Sequence, residues 1–346
     1  MIKRIIAWLL CLFATVSLSS VNADFSIETR ALWPSIPMSE VGLLILEFHC
    51  VSNPPDGATH PELYITVDRF AEMMNEMKSL GLKGVSFSDA IDELSRGEFD
   101  LSHVVLTFDD GHDDNLQVAR NLLSYGWSAS FYIISGKVGK RYPKKSFFYL
   151  GWEELGEISD MGFEIGSHTV NHIDLSMASP SRVDYEIKQS VKDIEEKLDV
   201  EVRTFSIPKG AYTTDIIIEI SRYGLDGCVT SDRGLMTGQR THKAPRIEVK
   251  QDTDLTKVLT DYLSTNLKHG SQLFVEGDEV EKIRCFKTLL VRLGYPLEDS
   301  TVFDEDMVVA VADYQRTLGL EPSGELNYTT IDMIVNDFME LVTDED

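Results

Sequence analysis

Cysteine is scarce in this sequence, with four residues among 346. One of them, Cys11, lies in the N-terminal apolar segment, which leaves Cys50, Cys228 and Cys285 for the rest of the chain. Three cysteines without close spacing exclude a disulfide framework, and they lack the paired spacing of a structural zinc site. Any metal bound by this chain would therefore be held by oxygen and nitrogen ligands.

Basic residues are also few. The sequence has 32 lysines and arginines against 57 aspartates and glutamates, so its net charge is −25. Nucleic acids and anionic membrane surfaces would repel so acidic a chain, so neither is expected as a partner. The composition, with 43% hydrophobic and 26% charged residues, is that of a soluble globular protein.

Long apolar runs are confined to the N-terminus. Lys3 and Arg4 precede the apolar stretch IIAWLLCLFATVSL, which is followed by the small residues Val21 and Ala23. This pattern predicts a secretory signal peptide at residues 1–23, cleaved after Ala23, and an uncleaved anchor is the alternative. We expect no transmembrane anchor after cleavage and a periplasmic or secreted mature protein.

Further along the chain, short apolar segments alternate with helical patterns. Predicted strands cover 42–48, 104–108, 128–134, 163–167, 204–207, 226–231 and 245–249, and predicted helices cover 67–81, 116–126, 152–162, 180–198 and 214–224. In the first helix, Phe70, Met73, Met74 and Met77 have helical spacing and are interpreted as core packing. Repeated strand–helix units predict an α/β fold with a mainly parallel sheet, either a barrel or doubly wound.

The segment VVLTFDDGHDDN, residues 104–115, leads from a predicted strand into four carboxylates and a histidine within six residues. Charges this close resist burial unless a cation compensates them. In the predicted fold, chemistry collects where strands end, and Asp109 and Asp110 lie at such an end.

A second polar cluster, GSHTVNHID, follows the predicted strand 163–167. His168 and His172 are four residues apart, so both can face one point if the segment makes a helical turn. With Asp110 they would give three metal ligands and leave positions open, which is typical of a catalytic site. Asp109 would then be free to act as a general base. Each motif also has an ordinary structural interpretation, because DDG triplets form turns and histidines often pack or cap.

Together, TFDDG and HTVNH resemble the polysaccharide deacetylase family (NodB homology, carbohydrate esterase family 4), over about residues 42–249. The resemblance implies a distorted (β/α) barrel that removes N-acetyl groups from amino-sugar polymers. It makes Asp109 the general base and Asp110, His168 and His172 the ligands of a divalent metal. Zinc is the default metal, and cobalt, nickel or iron would fit the same donors.

The sequence departs from the common family pattern in two places. Many members have an Arg-Pro-Pro-Tyr motif, whereas this chain has FSIPKGAY, with Lys209 at the position of the usual tyrosine. The form is closer to the poly-N-acetylglucosamine deacetylase-like subgroup. The segment LEFHCVS resembles that subgroup's early Tyr-His strand, with Phe48 in place of the tyrosine, so His49 is the candidate acid for the departing amine. The alternative for His49 is a structural hydrogen bond to the backbone.

Two further residues receive predictions from these motifs. Arg246, in PRIEV, matches a Pro-Arg-Ile segment of the subgroup and is the candidate partner of Asp109; an ordinary ion pair at a strand start is its alternative. Asp114 is expected to cap the following helix. His112 has no assigned role.

The C-terminal segment resembles the three-helix peptidoglycan-binding domain type 1, through IRCFKTLLVRLGY and a later AVADYQRTLGLEPSGEL. The predicted organisation is a deacetylase domain at 24–265, a linker at 266–278 and a peptidoglycan-binding-like domain at 279–340. Phe286 or Lys287 replaces the glutamine usual in its first helix. The resemblance implies that the protein is associated with the cell wall through peptidoglycan.

The predicted function is therefore a metal-dependent hydrolase that removes N-acetyl groups from an N-acetylglucosamine-containing cell-wall or extracellular polysaccharide. One alternative is a catalytically weak, deacetylase-like glycan-binding protein, which the altered PKG loop and Phe48 suggest. A cell-wall zinc peptidase is a second alternative, although the sequence contains no HExxH motif.

Overall fold

A computed structural model of the chain describes residues 32–37, 42–142, 147–238, 240–268 and 273–343. The predicted signal peptide lies outside these ranges, as does part of the predicted linker. None of the helices within them has both the length and the apolar character needed to cross a bilayer.

The centre of the fold is a parallel β-barrel. The strands of the described residues are β1 (Ser35–Pro37), β2 (Gly42–Leu43), β3 (Ile45–Phe48), β4 (Cys50–Val51), β5 (Tyr64–Ile65), β6 (Lys83–Val85), β7 (Glu98–Asp100), β8 (His103–Phe108), β9 (Ser130–Ile133), β10 (Arg141–Tyr142), β11 (Phe147–Phe148), β12 (Glu164–Ser167), β13 (Thr204–Ser206), β14 (Gly227–Arg233), β15 (Met236–Thr237) and β16 (Ala244–Glu248). Seven of them close a ring in the order β3-β16-β14-β13-β12-β9-β8, because β8 pairs with β3 as well as with β9. Strand β6 pairs with the first half of β8, and every pairing in this sheet is parallel. The predicted α/β barrel is confirmed.

Helices surround the barrel and continue beyond it. They are α1 (Val67–Ser79), α2 (Phe87–Ser95), α3 (Asn115–Tyr125), α4 (Trp152–Asp160), α5 (Pro180–Leu198), α6 (Thr214–Arg222), α7 (Leu255–Lys268), α8 (Glu281–Arg292), α9 (Glu305–Thr317) and α10 (Tyr328–Thr343). In α1 the predicted apolar stripe, Phe70, Met73, Met74 and Met77, is buried. Its methionines fill the space between helix and barrel, as the spacing predicted.

Three phenylalanines show which way the barrel strands face. Phe48, Phe108 and Phe131 lie side by side on β3, β8 and β9, with ring centroids 5.1 and 5.0 Å apart. Phe70 of α1 packs edge-on against Phe48 at 5.6 Å, so these rings face outward, towards the helices. Because side chains alternate along a strand, the residues on either side of Phe48 and Phe108 face the barrel interior.

Helix α2 is not among the predicted elements. It starts with a capping box formed by Ser86 and Asp89. Its first backbone N–H groups donate to side chains of the barrel strands: Phe87 to Ser130 Oγ at 2.8 Å and Ser88 to Glu164 Oε2 at 3.1 Å. A helix of nine residues that depends on such distant partners carries little signal in its own sequence.

Helix α7 extends three residues into the predicted linker, to Lys268. Its residue Asn266 is buried, and its amide exchanges two hydrogen bonds with the backbone of Gly42. Gly42 N–H donates to Asn266 Oδ1 at 2.7 Å, and Asn266 Nδ2 donates to the Gly42 carbonyl at 3.0 Å. These two hydrogen bonds connect α7 to β2. They stabilise the helix in a polar segment that the sequence predicts to be a linker.

Helices α8, α9 and α10 form the C-terminal helical region that the sequence predicted. Gln315 of α9 is buried and connects this region internally. It accepts a hydrogen bond from the Gly324 N–H at 2.9 Å and donates to Thr330 Oγ1 at 3.0 Å, which joins α9 to α10.

The C-terminal helices also contact the barrel side of the chain. Lys268 Nζ of α7 lies 2.6 Å from Asp332 Oδ1 of α10. Trp33 packs edge-on against Phe338 of α10 at 6.0 Å and donates its indole N–H to the Leu80 carbonyl at 2.7 Å. Side chains on both sides of the predicted linker therefore share one packed interface.

Candidate active site

The side chains singled out in the sequence meet at the C-terminal ends of the barrel strands. Asp109 and Asp110 follow β8, His168 follows β12 and His49 follows β3. These four residues and His172 line a cavity of about 770 Å³ that opens at this end of the barrel. In parallel barrels this is the end where active sites form.

Asp110, His168 and His172 surround one point. Asp110 Oδ1 lies 3.6 Å from His168 Nε2 and 3.4 Å from His172 Nε2. This oxygen is buried and accepts no hydrogen bond from any described residue. A buried carboxylate oxygen without a donor is costly, and a cation between it and the two imidazoles would remove that cost. The three residues present therefore fit a divalent metal ion.

The two imidazoles approach each other through a bend and not through the helical turn considered from their spacing. Thr169 and His172 adopt left-handed backbone conformations, with φ of 66° and 57°. The His172 N–H donates to Thr169 Oγ1 at 2.9 Å, which closes the bend. Asp110 is left-handed as well, with φ of 76°. Such strain in non-glycine residues costs about 1–3 kcal/mol each and commonly marks functional sites.

Buried Glu186 of α5 pins this bend from outside the cavity. Its carboxylate accepts hydrogen bonds from the backbone N–H of Asn171 at 2.8 Å and from the Asn171 side chain at 2.9 Å. Sequence reasoning did not identify Glu186, because its place in α5 looks like any charged helix position. A buried carboxylate thus fixes the residue next to His172.

Hydrogen bonding of His168 and burial of His172 favour the forms of these imidazoles that can bind a metal ion. His168 Nδ1 donates to the Ser206 carbonyl at 2.8 Å, which leaves the lone pair of Nε2 facing Asp110. Burial and the neighbouring His168 lower the pKa of His172 to about 3, so this imidazole is neutral at neutral pH. Metal ions bind neutral imidazoles.

Asp109 lies inside the barrel mouth and is held by Arg246. Arg246 donates to Asp109 Oδ1 at 2.9 Å and to Oδ2 at 2.8 Å, and Ser206 Oγ donates to Oδ2 at 2.9 Å. Burial is the largest influence and by itself would raise the pKa of Asp109, but the charges of Arg246 and His168 and the hydrogen bonds from Arg246 together outweigh it and hold that pKa below the ordinary value. Asp109 Oδ2 is 3.9 Å from His168 Nε2, so an ionised carboxylate borders the candidate metal site.

Glu47 is a second carboxylate that is hydrogen-bonded to the guanidinium of Arg246. Arg246 Nη2 donates to Glu47 Oε1 at 2.8 Å, and Ser231 Oγ donates to the same oxygen at 3.1 Å. Burial raises the pKa of Glu47. The sequence held a signal for this residue, since a lone carboxylate interrupts the apolar strand β3.

His49 is half-buried and faces the cavity. One ligand atom each of His49, Glu47 and Asp109 lie within 4.8 Å of one another. The candidate acid is therefore close to the candidate base.

Two further residues of the Asp-rich loop after β8 have defined contacts. Asp114 precedes α3, but its side chain makes no cap hydrogen bond to the helix. It accepts instead from Ser52 Oγ at 2.7 Å and from Asn115 Nδ2 at 3.0 Å, so Asp114 occupies the predicted N-cap position without the expected capping hydrogen bond. His112, which had no assigned role, is 3% exposed and its Nε2 lies 3.3 Å from Asp110 Oδ2.

The mouth of this parallel barrel combines acid–base groups with a point that can hold a cation. Hydrolases that use a metal ion have this combination. Residues 96–228 match the polysaccharide deacetylase family, and residues 279–334 match the family described as "Putative peptidoglycan binding domain". The chain thus carries a polysaccharide deacetylase domain followed by a peptidoglycan-binding domain, which confirms both resemblances seen in the sequence.

Two curated proteins are similar to part of this chain. "Putative polysaccharide deacetylase YxkH" of Bacillus subtilis is 29% identical over 132 residues, which are 38% of this chain and 45% of that protein. "Chitooligosaccharide deacetylase" of Azorhizobium caulinodans is 30% identical over 150 residues, which are 42% of this chain and 64% of that protein. The chain therefore spans less than two thirds of the length of either relative.

A solved structure has a similar fold. The Streptococcus pyogenes deacetylase PplD, determined in complex with acetate, superposes with a TM-score of 0.57 at 25% sequence identity. The superposition covers 65% of this chain and 98% of that one. The similarity places the barrel among the deacetylase folds.

Proposed function

We propose that this protein is a metal-dependent deacetylase that removes N-acetyl groups from an N-acetylglucosamine-containing cell-wall or extracellular polysaccharide. The observation that carries the proposal is the buried Oδ1 of Asp110, which faces His168 and His172 without a hydrogen-bond donor and lies beside the Asp109–Arg246 pair. A cation-binding point adjacent to an ionised carboxylate is what hydrolysis of an amide by water requires.

Asp110, His168 and His172 would hold the metal. When bound, a divalent cation polarises the acetamide carbonyl and lowers the pKa of a nearby water molecule. One carboxylate and two neutral imidazoles suit zinc, and cobalt, nickel and iron share the preference for such donors.

Asp109 acts as the general base in this proposal. It accepts a proton from water while the water oxygen forms a bond to the carbonyl carbon of the acetamide. Arg246 keeps the carboxylate ionised and oriented through two hydrogen bonds. Ser206 adds a third hydrogen bond to the same carboxylate.

His49 completes the reaction from the cavity wall. It donates a proton to the nitrogen as the bond between nitrogen and the carbonyl carbon breaks. Acetate leaves, and the sugar retains a free amine. The half-buried position of His49 in the cavity wall, close to Asp109, supports this role.

A glycan is the proposed substrate, and peptidoglycan the proposed partner of the C-terminal domain. The cavity wall includes Tyr142 and Tyr149, whose rings meet edge to face at 6.0 Å and offer apolar surface to a sugar ring. One relative is named for the deacetylation of chitooligosaccharides. With the match to a peptidoglycan-binding family, this supports a periplasmic or secreted protein that works at the cell wall.

The proposal is tested by incubating the protein with chitooligosaccharides, poly-N-acetylglucosamine and peptidoglycan. We expect acetate and new amines on the sugar to appear in equal amounts. Amino termini released from the peptide stem without acetate would instead identify a peptidase. Binding to the glycans without any acetate release would identify a glycan-binding protein.

A further inference from the structure

His112 lies behind the Asp110 carboxylate in a closely packed position. Its ring stacks on Tyr149, with centroids 5.2 Å apart and planes at 23°, and the two residues also form an antiparallel backbone bridge. The Cys50 thiol interacts with the same imidazole. Only 3% of His112 is exposed, so its ring has one well-defined place.

The two oxygens of Asp110 face different neighbours. Oδ1 lies 3.6 and 3.4 Å from the Nε2 atoms of His168 and His172, whereas Oδ2 lies 3.3 Å from His112 Nε2. Within the described residues, two groups have ligand atoms that all lie within 4.8 Å of one another: Asp110, His168 and His172, and Glu47, His49 and Asp109. His112 belongs to neither. His112 therefore contacts the candidate ligand Asp110 but is not itself positioned as a metal ligand.

We infer that His112 is a positioning residue that holds Oδ2 of Asp110 and thereby directs Oδ1 towards the two ligand imidazoles. No described residue donates a hydrogen bond to Oδ1 of Asp110, so contacts at this oxygen leave the carboxylate free to rotate. A donor on the far oxygen removes that freedom and strengthens metal binding. The Tyr149 stack fixes the imidazole that provides the donor.

The inference concerns metal affinity, so its test does not depend on the proposed deacetylase activity. The affinity of the full chain for Zn²⁺ is measured by competition with a coloured chelator, for wild type and for His112→Gln, His112→Asn and His112→Phe. Glutamine can place an amide N–H near the position of Nε2, asparagine cannot reach it, and phenylalanine keeps the ring stack without a donor. We expect His112→Asn and His112→Phe to raise the dissociation constant about 10- to 100-fold, and His112→Gln to stay within about threefold of wild type.

The matched control is His103→Gln. His103 begins the same strand β8 at its other end and pairs with Glu93 at 2.7 Å; its side chain is 15% exposed and does not line the cavity. It should leave the dissociation constant unchanged. Thermal unfolding of the metal-free variants identifies any general loss of structure.

The visible absorption of bound Co²⁺ provides a second readout, since it reports the arrangement of the ligands. We expect His112→Asn to change this spectrum and His112→Gln to preserve it. Wild-type affinity in both His112→Asn and His112→Phe would overturn the inference. Equal weakening in His112→Gln and His112→Asn would overturn it too, because the position of the donor would then be irrelevant.

Discussion

Arg246 is the residue on which the buried charge of the barrel depends. Its guanidinium is inaccessible to solvent and bonds both Asp109 and Glu47, two carboxylates that are themselves almost fully buried. One positive charge thus compensates two groups that would otherwise repel each other. This pairing keeps the proposed base, Asp109, ionised in a place where burial alone would favour its neutral form.

Replacing Arg246 with glutamine should therefore destabilise the metal-free protein by about 3–5 kcal/mol in urea unfolding, because it leaves buried carboxylates uncompensated. Arg203→Gln is the control, since Arg203 also bonds two carboxylates, Asp92 and Asp226, but is 30% exposed. Exposed ion pairs contribute about 1 kcal/mol or less, so this variant should lose little. Equal losses in the two variants would contradict the account of the buried pair.

Asp109→Asn tests the base itself. Asparagine keeps the shape of the side chain but cannot take a proton, so acetate release should fall about 10²- to 10⁴-fold while metal content is retained. Asp113→Asn changes a 41% exposed carboxylate in the same loop and should leave the rate near that of wild type. Wild-type rates in Asp109→Asn would remove Asp109 from the mechanism.

At the scale of the elements, the candidate metal site depends on the close approach of a turn after β9 to the bend after β12. The 3₁₀ turn Ser135–Lys137 packs against the bend between His168 and His172, and Gly136 N–H donates to the Val170 carbonyl at 3.0 Å. A Cβ on Gly136 would lie 2.4 Å from that carbonyl oxygen. Only glycine allows this approach.

Gly136→Ala should push the bend away and destabilise the protein by about 1–3 kcal/mol, with weaker Zn²⁺ binding. Gly156→Ala is the control, because Gly156 lies inside α4 and a Cβ there would meet nothing within 4 Å. That variant should gain about 0.5–1 kcal/mol. Urea unfolding and chelator competition measure both effects, and unchanged metal affinity in Gly136→Ala would show that the bend does not depend on the turn.

The periodic parts of this fold could be predicted from the sequence, and the long-range contacts could not. The stripe of α1 and the alternation of strands and helices are local patterns, so their elements and the strand ends bearing Asp109 and His168 were predictable. Glu47 and Arg246 are 199 residues apart, and only the closure of the barrel brings them together. The same applies to Glu186 and to α2, whose partners lie on other elements.

At the scale of the whole molecule, the two domains share an interface through α7 and α10. Residues Ala31–Asp346 cluster as one compact unit. Trp33 contacts both Leu80 on the barrel side and Phe338 in the C-terminal domain. The proposed glycan-binding domain is thus packed against the proposed catalytic domain.

Calorimetry should therefore record one cooperative unfolding transition for the two domains. Phe338→Ala should lower its midpoint, because removing a buried phenylalanine costs about 3–5 kcal/mol. Tyr328→Ala, at a 49% exposed position of the same helix, should have little effect. Two separate transitions in the wild-type protein would contradict the shared interface.

The central claim is that Asp110, His168 and His172 hold a divalent metal which makes this chain a deacetylase. The most direct measurement is acetate release from chitooligosaccharides by protein stripped of metal with a chelator and then supplied with Zn²⁺, Co²⁺, Ni²⁺ or Fe²⁺. The account predicts that acetate release disappears on stripping, returns with at least one of these ions, and does not return in His168→Ala. Acetate release that persists in the fully stripped protein, or that returns equally in His168→Ala, would contradict it.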